Sequence, residues 1–235
     1  MKKGARAKGR PIAEFVAIVN YTAFSRNMER VAYLLSLYRR ETGTGSSGRR
    51  SVHASDVLRA ATVLLHAAVE DLLRNIASWC IGKDSPPDVL DRIPLLGTTS
   101  GGEAKKVWLS ALVPHSAMTV KELISASVRA HYANSETFNH RGDIVRLLQS
   151  CGLDPARVDA EVATLAEMIA RRHEIVHHAD REKRHRFVRG FHDRPPRGYH
   201  VAQALSVSKV ERWKRAADRF AQKTLKMLAK TGTHP

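Results

Sequence analysis

Residues 55–79, SDVLRAATVLLHAAVEDLLRNIASW, decide the fold class. Leu58, Ala61, Leu65, Ala68, Leu72, Ile76 and Trp79 recur at intervals of three and four, the spacing that lines the core-facing side of an α-helix. Ser55 or Asp56 is suited to cap its start. His66, Glu70 and Arg74 fall on its other faces. Upstream, Pro11 suits a first helical position. Ile12, Phe15, Val16 and Val19, then Val31, Leu34, Leu35 and Tyr38, continue an apolar face to about Arg40. The stretch 42–50, TGTGSSGRR, reads as a flexible connection.

Downstream, Pro86, Pro87, Pro94, Gly97, Gly101 and Gly102 break residues 82–102 into a long Gly/Pro-rich loop with a helical turn near 88–92. A short helix is expected over 103–112. Thr119 and Glu122, three apart, form a capping-box signal for a helix at 120–133. Another helix at 141–150 stops at Gly152. Asp154 followed by Pro155 then opens a long helix to about residue 180. A basic last helix, 206–230, carries its stripe on Val210, Trp213, Ala217, Phe220 and Met227. No period-two alternation is long enough for a strand, and no segment repeats. The expectation is therefore an all-α helical bundle. A single domain over 11–235 follows a disordered basic tail at 1–10, with its core at about 55–180 plus the last helix. Trp79, Trp108 and Trp213 are read as core residues rather than base-stacking ones.

With 235 residues, 43% of them hydrophobic, the chain can bury a sizeable core, which excludes wholesale disorder. No apolar run is long enough to span a membrane. Glu14 and Asn20 interrupt the apolar stretch behind the basic N-terminus, which argues against a signal peptide. Cys80 and Cys151 are too few for a disulfide framework, so a reducing, cytoplasmic compartment is expected.

Thirty-nine Lys and Arg against twenty-three Asp and Glu leave a net charge of +16. The excess is concentrated: five basic and no acidic residues in 1–10, nine against four in 171–200, and eight against two in 209–230. Charge gathered this way implies a polyanionic partner; the plainer alternative is a solvated surface that keeps the protein soluble. Arg181, Lys183, Arg184, Arg186 and Arg189 are interleaved with Phe187, Phe191 and Tyr199. That mixture suits a track for single-stranded nucleic acid, and equally a loop with no bound state.

Chemistry concentrates in residues 170–180, ARRHEIVHHAD. His173, Glu174 and His177 spell H-E-x-x-H, which on a helix can ligate zinc with the glutamate as general base of a metalloprotease. The third ligand of the extended motif is absent, because the glycine and histidine positions hold Asp180 and Lys183. The same stretch also reads R-x4-H, Arg172 to His177. A guanidinium and an imidazole are what metal-free cleavage of RNA needs. The imidazole can take the ribose 2′-OH proton, and the guanidinium can fork onto the non-bridging phosphate oxygens. A straight helix sets those side chains about 140° apart and about 7.5 Å along the axis. Either the helix bends or ends near 176, or two protomers complete one site across a two-fold axis. Arg172 also falls on the apolar stripe Val158, Val162, Leu165, Ile169, Val176, where a cation needs an anion; Glu70 is a candidate. The plain alternative is a structural pair on a basic helix, and for His53 and His66 a solvated or hydrogen-bonded ring.

The string RRHEIVHHAD behind a long helix with an Asp154-Pro155 start resembles the HEPN superfamily, in its RiboL-PSP-HEPN branch. LLHAAVEDLLRNIASW (64–79) is similar to that family's second core helix, and FNHRGDIVRLLQSCGLD (138–154) to the piece before its motif helix. The resemblance covers roughly residues 55–180. It implies a helical bundle and a homodimer with a composite active site. It also implies a metal-independent, cofactor-free endoribonuclease (a hydrolase) that leaves 2′,3′-cyclic phosphate and 5′-OH ends on single-stranded or unpaired RNA. On this chain the roles fall to Arg172 as phosphate binder, His177 as proton-transfer residue and His173 as the intervening polar residue, where Asn is commoner. Arg171 and His178 permit other registers. Such domains serve bacterial toxin–antitoxin or antiviral defence systems, with an antitoxin or defence partner protein. Others have lost catalysis and act as RNA- or protein-binding modules.

Overall fold

The computed structural model describes residues 23–43, 52–96, 109–134, 136–178, 180 and 203–231, and these form an all-α bundle. Its helices are α1 (Phe24–Thr42), α2 (Val52–Cys80), the short α3 (Pro87–Leu90), α4 (Val120–Asn134), α5 (Arg141–Ser150), α6 (Asp159–His178) and α7 (Val207–Thr231). Turns of 3₁₀ helix at Leu109–His115 and Pro155–Val158 precede α4 and α6. No described helix is long and apolar enough to cross a membrane. The basic tail, the Pro11 helix start, Trp108 and the cations and aromatics of 181–200 lie outside the described residues.

Helix α2 is the hub. It packs on α1, α4, α5, α6 and α7, so burial extends well beyond one stripe. The expected positions Leu58, Ala61, Leu65, Ala68, Leu72 and Ile76 are fully buried, and so are Thr62, Val69, Leu73 and Ala77 on adjoining faces. His66, read from the sequence as lying on another face, is buried with them at 1% exposure. Trp79 is only half-buried against the core, whereas Trp213 is enclosed among Val210, Ala217 and Phe220.

Local signals set the helix ends. Gly43 terminates α1 at φ 64°, in the left-handed region that glycine adopts without a Cβ clash. The Thr119–Glu122 capping box forms reciprocally: the Thr119 N–H donates to Glu122 Oε2 at 2.8 Å and the Glu122 N–H to Thr119 Oγ1 at 3.2 Å. A second box at the head of α5, in which the His140 N–H donates to Asp143 Oδ2 at 2.8 Å, has the same physics with a histidine cap. Asp154 accepts from the Ala156 N–H at 3.0 Å, but the turn it opens is 3₁₀, and the α-helix begins at Asp159.

Candidate active site

Helix α6 carries the R-x4-H pair and runs through to His178. It ends two residues past 176, so Arg172 and His177 still share one helix and diverge around its axis. Between them Val176 stands on the expected apolar face yet is 48% exposed.

Arg171 and Arg172 have separate fates. Arg171 is the buried one, at 8% exposure, although it lies off the apolar stripe. Its Nη2 donates to Asp180 Oδ2 at 2.7 Å and to the Gln203 carbonyl at 2.8 Å, and its Nη1 to Gln203 Oε1. From α2, Arg59 Nε donates to the same Asp180 oxygen at 2.7 Å while its Nη1 reaches Asp56 at 2.9 Å. Asp180 is fully buried and left-handed at φ 57°, a conformation that Asp tolerates better than most residues. Its N–H donates to the Glu174 carbonyl at 2.9 Å, and its own carbonyl accepts from the Gln203 N–H at 2.8 Å. One carboxylate between two guanidinia thus ties the end of α6 to the start of α2 and the approach to α7. Burial pulls the Arg171 guanidinium below its ordinary value, with Asp180 opposing and Arg59 reinforcing that shift. Arg171 is a structural residue by this geometry.

Arg172 is half-buried on the α2 side, with a buried Nε that has no hydrogen-bond partner among the described residues. Its charge acts on His66. That imidazole is pushed down from its ordinary value chiefly by burial; Glu70 and the Phe138 backbone oppose the shift, and Arg172 and Arg74 add to it. His66 Nδ1 lies 3.8 Å from Glu70 Oε2, which is 3.7 Å from Arg74 Nη2. Arg74 Nε also donates to the Tyr132 carbonyl at 2.9 Å. Glu70 therefore pairs with Arg74 and His66 along its own helix; no direct Glu70–Arg172 ion pair joins them. His66, expected as a solvated or hydrogen-bonded ring, is instead buried beside Glu70, and the H-x3-E-x3-R spacing of 66, 70 and 74 is the signal of one continuous polar stripe.

The other three imidazoles are exposed and clustered. The His173 and His177 rings lie 4.5 Å apart between centroids, tilted by 41°, and His173 and His178 lie 5.8 Å apart. Among the described residues no group of three His, Cys, Asp or Glu is arranged to hold a metal ion. The third ligand that the H-E-x-x-H reading lacks in sequence is not supplied there.

Much of the basic charge of α7 meets carboxylates. Lys223 Nζ contacts both oxygens of the buried Glu161 at 2.9 Å, and Arg219 Nε lies 3.6 Å from it. Arg212 pairs with Glu167, and Glu211 takes Arg39. This part of the excess therefore holds α7 to α6 and α1. Comparison with protein families, curated proteins and solved structures finds no match for the chain.

Proposed function

We propose that this chain is a HEPN-type, metal-independent endoribonuclease acting as a homodimer on single-stranded or unpaired RNA. The observation that carries the reading is the division between the adjacent arginines. Asp180 and Gln203 occupy Arg171, whereas Arg172 has an Nε with no hydrogen-bond partner among the described residues and the His173, His177 and His178 rings are exposed on the same helix. This favours Arg172 over Arg171, and the spacing of the family signature then pairs it with His177.

In the proposed reaction the His177 imidazole takes the proton from a ribose 2′-OH, whose oxygen attacks the adjacent phosphorus. The bond to the 5′-oxygen breaks, and that oxygen leaves as a hydroxyl after taking a proton. Arg172 from the partner copy neutralises the non-bridging oxygens as charge builds on them. A two-fold contact centred on the exposed Val176 suits this arrangement, since each copy then offers an imidazole on one side of α6 and a guanidinium on the other. His173, packed on His177, is assigned the positioning of that ring.

Purified protein with excess EDTA should cleave RNA to 2′,3′-cyclic phosphate and 5′-OH ends. His177→Ala should lower the rate by about 10²–10⁴-fold, the usual contribution of a general base. RNA binding with no turnover in the wild type would instead support the second reading, a silent RNA-binding module. That reading is favoured by the divergence of Arg172 and His177 within one chain. Cleavage abolished by EDTA and restored by zinc would overturn both.

A further inference from the structure

At the opposite end of α2 from the Asp180 cluster, Cys80 closes the helix, and Cys151 follows directly on α5. Both are free thiols; Cys80 is half-buried and Cys151 buried at 5% exposure. They are 71 positions apart in sequence, yet the two thiols lie near enough for Cys80 to push the Cys151 thiol up. Both also line one cavity of about 410 Å³, whose walls include Ser85, Asp88, Arg92 and Ser150. Although Cys151 belongs to the core and Cys80 packs against it, both border this cavity, and the half-buried Cys80 is the more accessible of the two to a small molecule entering it.

We propose that Cys80 and Cys151 form an oxidisable dithiol, a reversible disulfide site that links the C-terminal ends of α2 and α5 when the protein meets a small disulfide oxidant such as oxidised glutathione. The Cys80 thiolate attacks one sulfur of the oxidant; the S–S bond breaks and one glutathione leaves as its thiolate. Cys151 then loses its proton to water and attacks the Cys80 sulfur of the mixed disulfide, expelling the second glutathione. Two protein thiols are oxidised, one disulfide is reduced, and the two protons end on the departing thiols. Bond formation brings the two sulfurs to the ~2.05 Å covalent length.

The order of attack follows from the surroundings. Hydrogen bonding with Cys80 and then burial hold the Cys151 thiol well above its ordinary value, which suits it to resolve rather than to initiate. The pair is compatible with a reducing compartment, where disulfides are characteristically transient.

The test is incubation of the native, full-length protein with oxidised glutathione, followed by thiol titration and intact mass. The expected product is a monomer that has lost both titratable thiols and two hydrogens, carries no glutathione, and regains both thiols on reduction. Cys151→Ala should stop at the mixed disulfide on Cys80. Cys80→Ser should react at least tenfold more slowly than Cys151→Ala. Retention of both thiols would overturn the proposal, as would a wild-type protein that stops at the adduct or cross-links between molecules. A denatured sample, in which both thiols must titrate, serves as the positive control.

Discussion

Removing the charge of Asp180 should unfasten the end of α6. In the wild type a fully buried carboxylate accepts from Arg171 Nη2 and Arg59 Nε, each at 2.7 Å, with side-chain exposures of 8% and 12% for the two arginines. Without it Arg59 keeps Asp56, at 2.9 Å. Arg171 keeps the neutral oxygens of Gln203 and a weaker attraction from the Glu174 carboxylate, and so is the cation left largely stranded. Breaking a buried pair from one side costs about 3–5 kcal/mol, because the remaining charge stays desolvated. Asp180→Asn preserves size, one acceptor oxygen and tolerance of the left-handed backbone, and should lose about 1.5–3 kcal/mol. Asp180→Ala loses the acceptor as well and lacks the short polar side chain that lets Asp tolerate φ 57°, so it should reach the full range and exceed it by about 1 kcal/mol. Urea unfolding at pH 7 reads these values. With a slope near the top of the ~1–3 kcal/mol per M range, the alanine midpoint falls by more than about 1 M. The double variant with Arg171→Met should recover a large part of the loss, since no stranded cation remains. An Asp180→Asn protein within about 0.5 kcal/mol of wild type, or strictly additive double-variant losses, would refute the reasoning.

Three further outcomes follow from the same geometry. Arg172→Ala should leave stability within about 1 kcal/mol while abolishing RNA cleavage, whereas Arg171→Ala should lower stability first; unfolding curves run beside end-group analysis of cleaved RNA separate the two. His66 binds its proton less readily folded than unfolded, so the unfolded chain takes up more protons as pH falls. Stability from this residue is therefore complete above about pH 6.5 and is lost below it, by at most about 1.4 kcal/mol per pH unit until the folded ring itself protonates. His66→Gln should flatten the acid side of the stability–pH profile, and an unchanged profile would dismiss the effect. Leu65→Ala, in the centre of α2 with no exposed surface, should cost about 2–5 kcal/mol by the same unfolding assay.

The fold was legible because its signals are local. The three-and-four spacing of Leu58 to Ile76, the Thr119–Glu122 box and the Asp154 cap each act within a few residues, and α4, α5 and α7 lie within a position or two of where their patterns set them, whereas α2 starts at Val52, ahead of the expected Ser55 or Asp56 cap. What the pattern understated was the depth of α2. The run LLHAAVEDLL already carries apolar residues on more than one face, and a helix packed on several sides buries the polar residue caught among them, here His66.

The motif itself was less legible, because a neighbouring pair of identical side chains is told apart only by long-range partners. Arg171 and Arg172 differ by 100° on the helix. By periodicity Arg172 belongs on the buried face and Arg171 beside it. The structure buries Arg171 more deeply, since Arg59, 112 positions earlier, and Gln203, 32 positions later, close around Asp180 at that side of α6. A carboxylate nine residues beyond an arginine has no helical spacing; it meets that arginine only because the chain leaves the helix and turns back through a left-handed residue. The requirement that a buried cation find an anion was sound, but the candidate anion, Glu70, is engaged by Arg74 and His66 on its own helix. The two arginines thus divide anchoring from ligand contact. An Arg171→Lys protein tests that division more sharply than any alanine: lysine keeps the charge but cannot fork onto Asp180 and Gln203 together. It should lose about 1–3 kcal/mol of stability while retaining the cleavage pattern of wild type in whatever fraction stays folded.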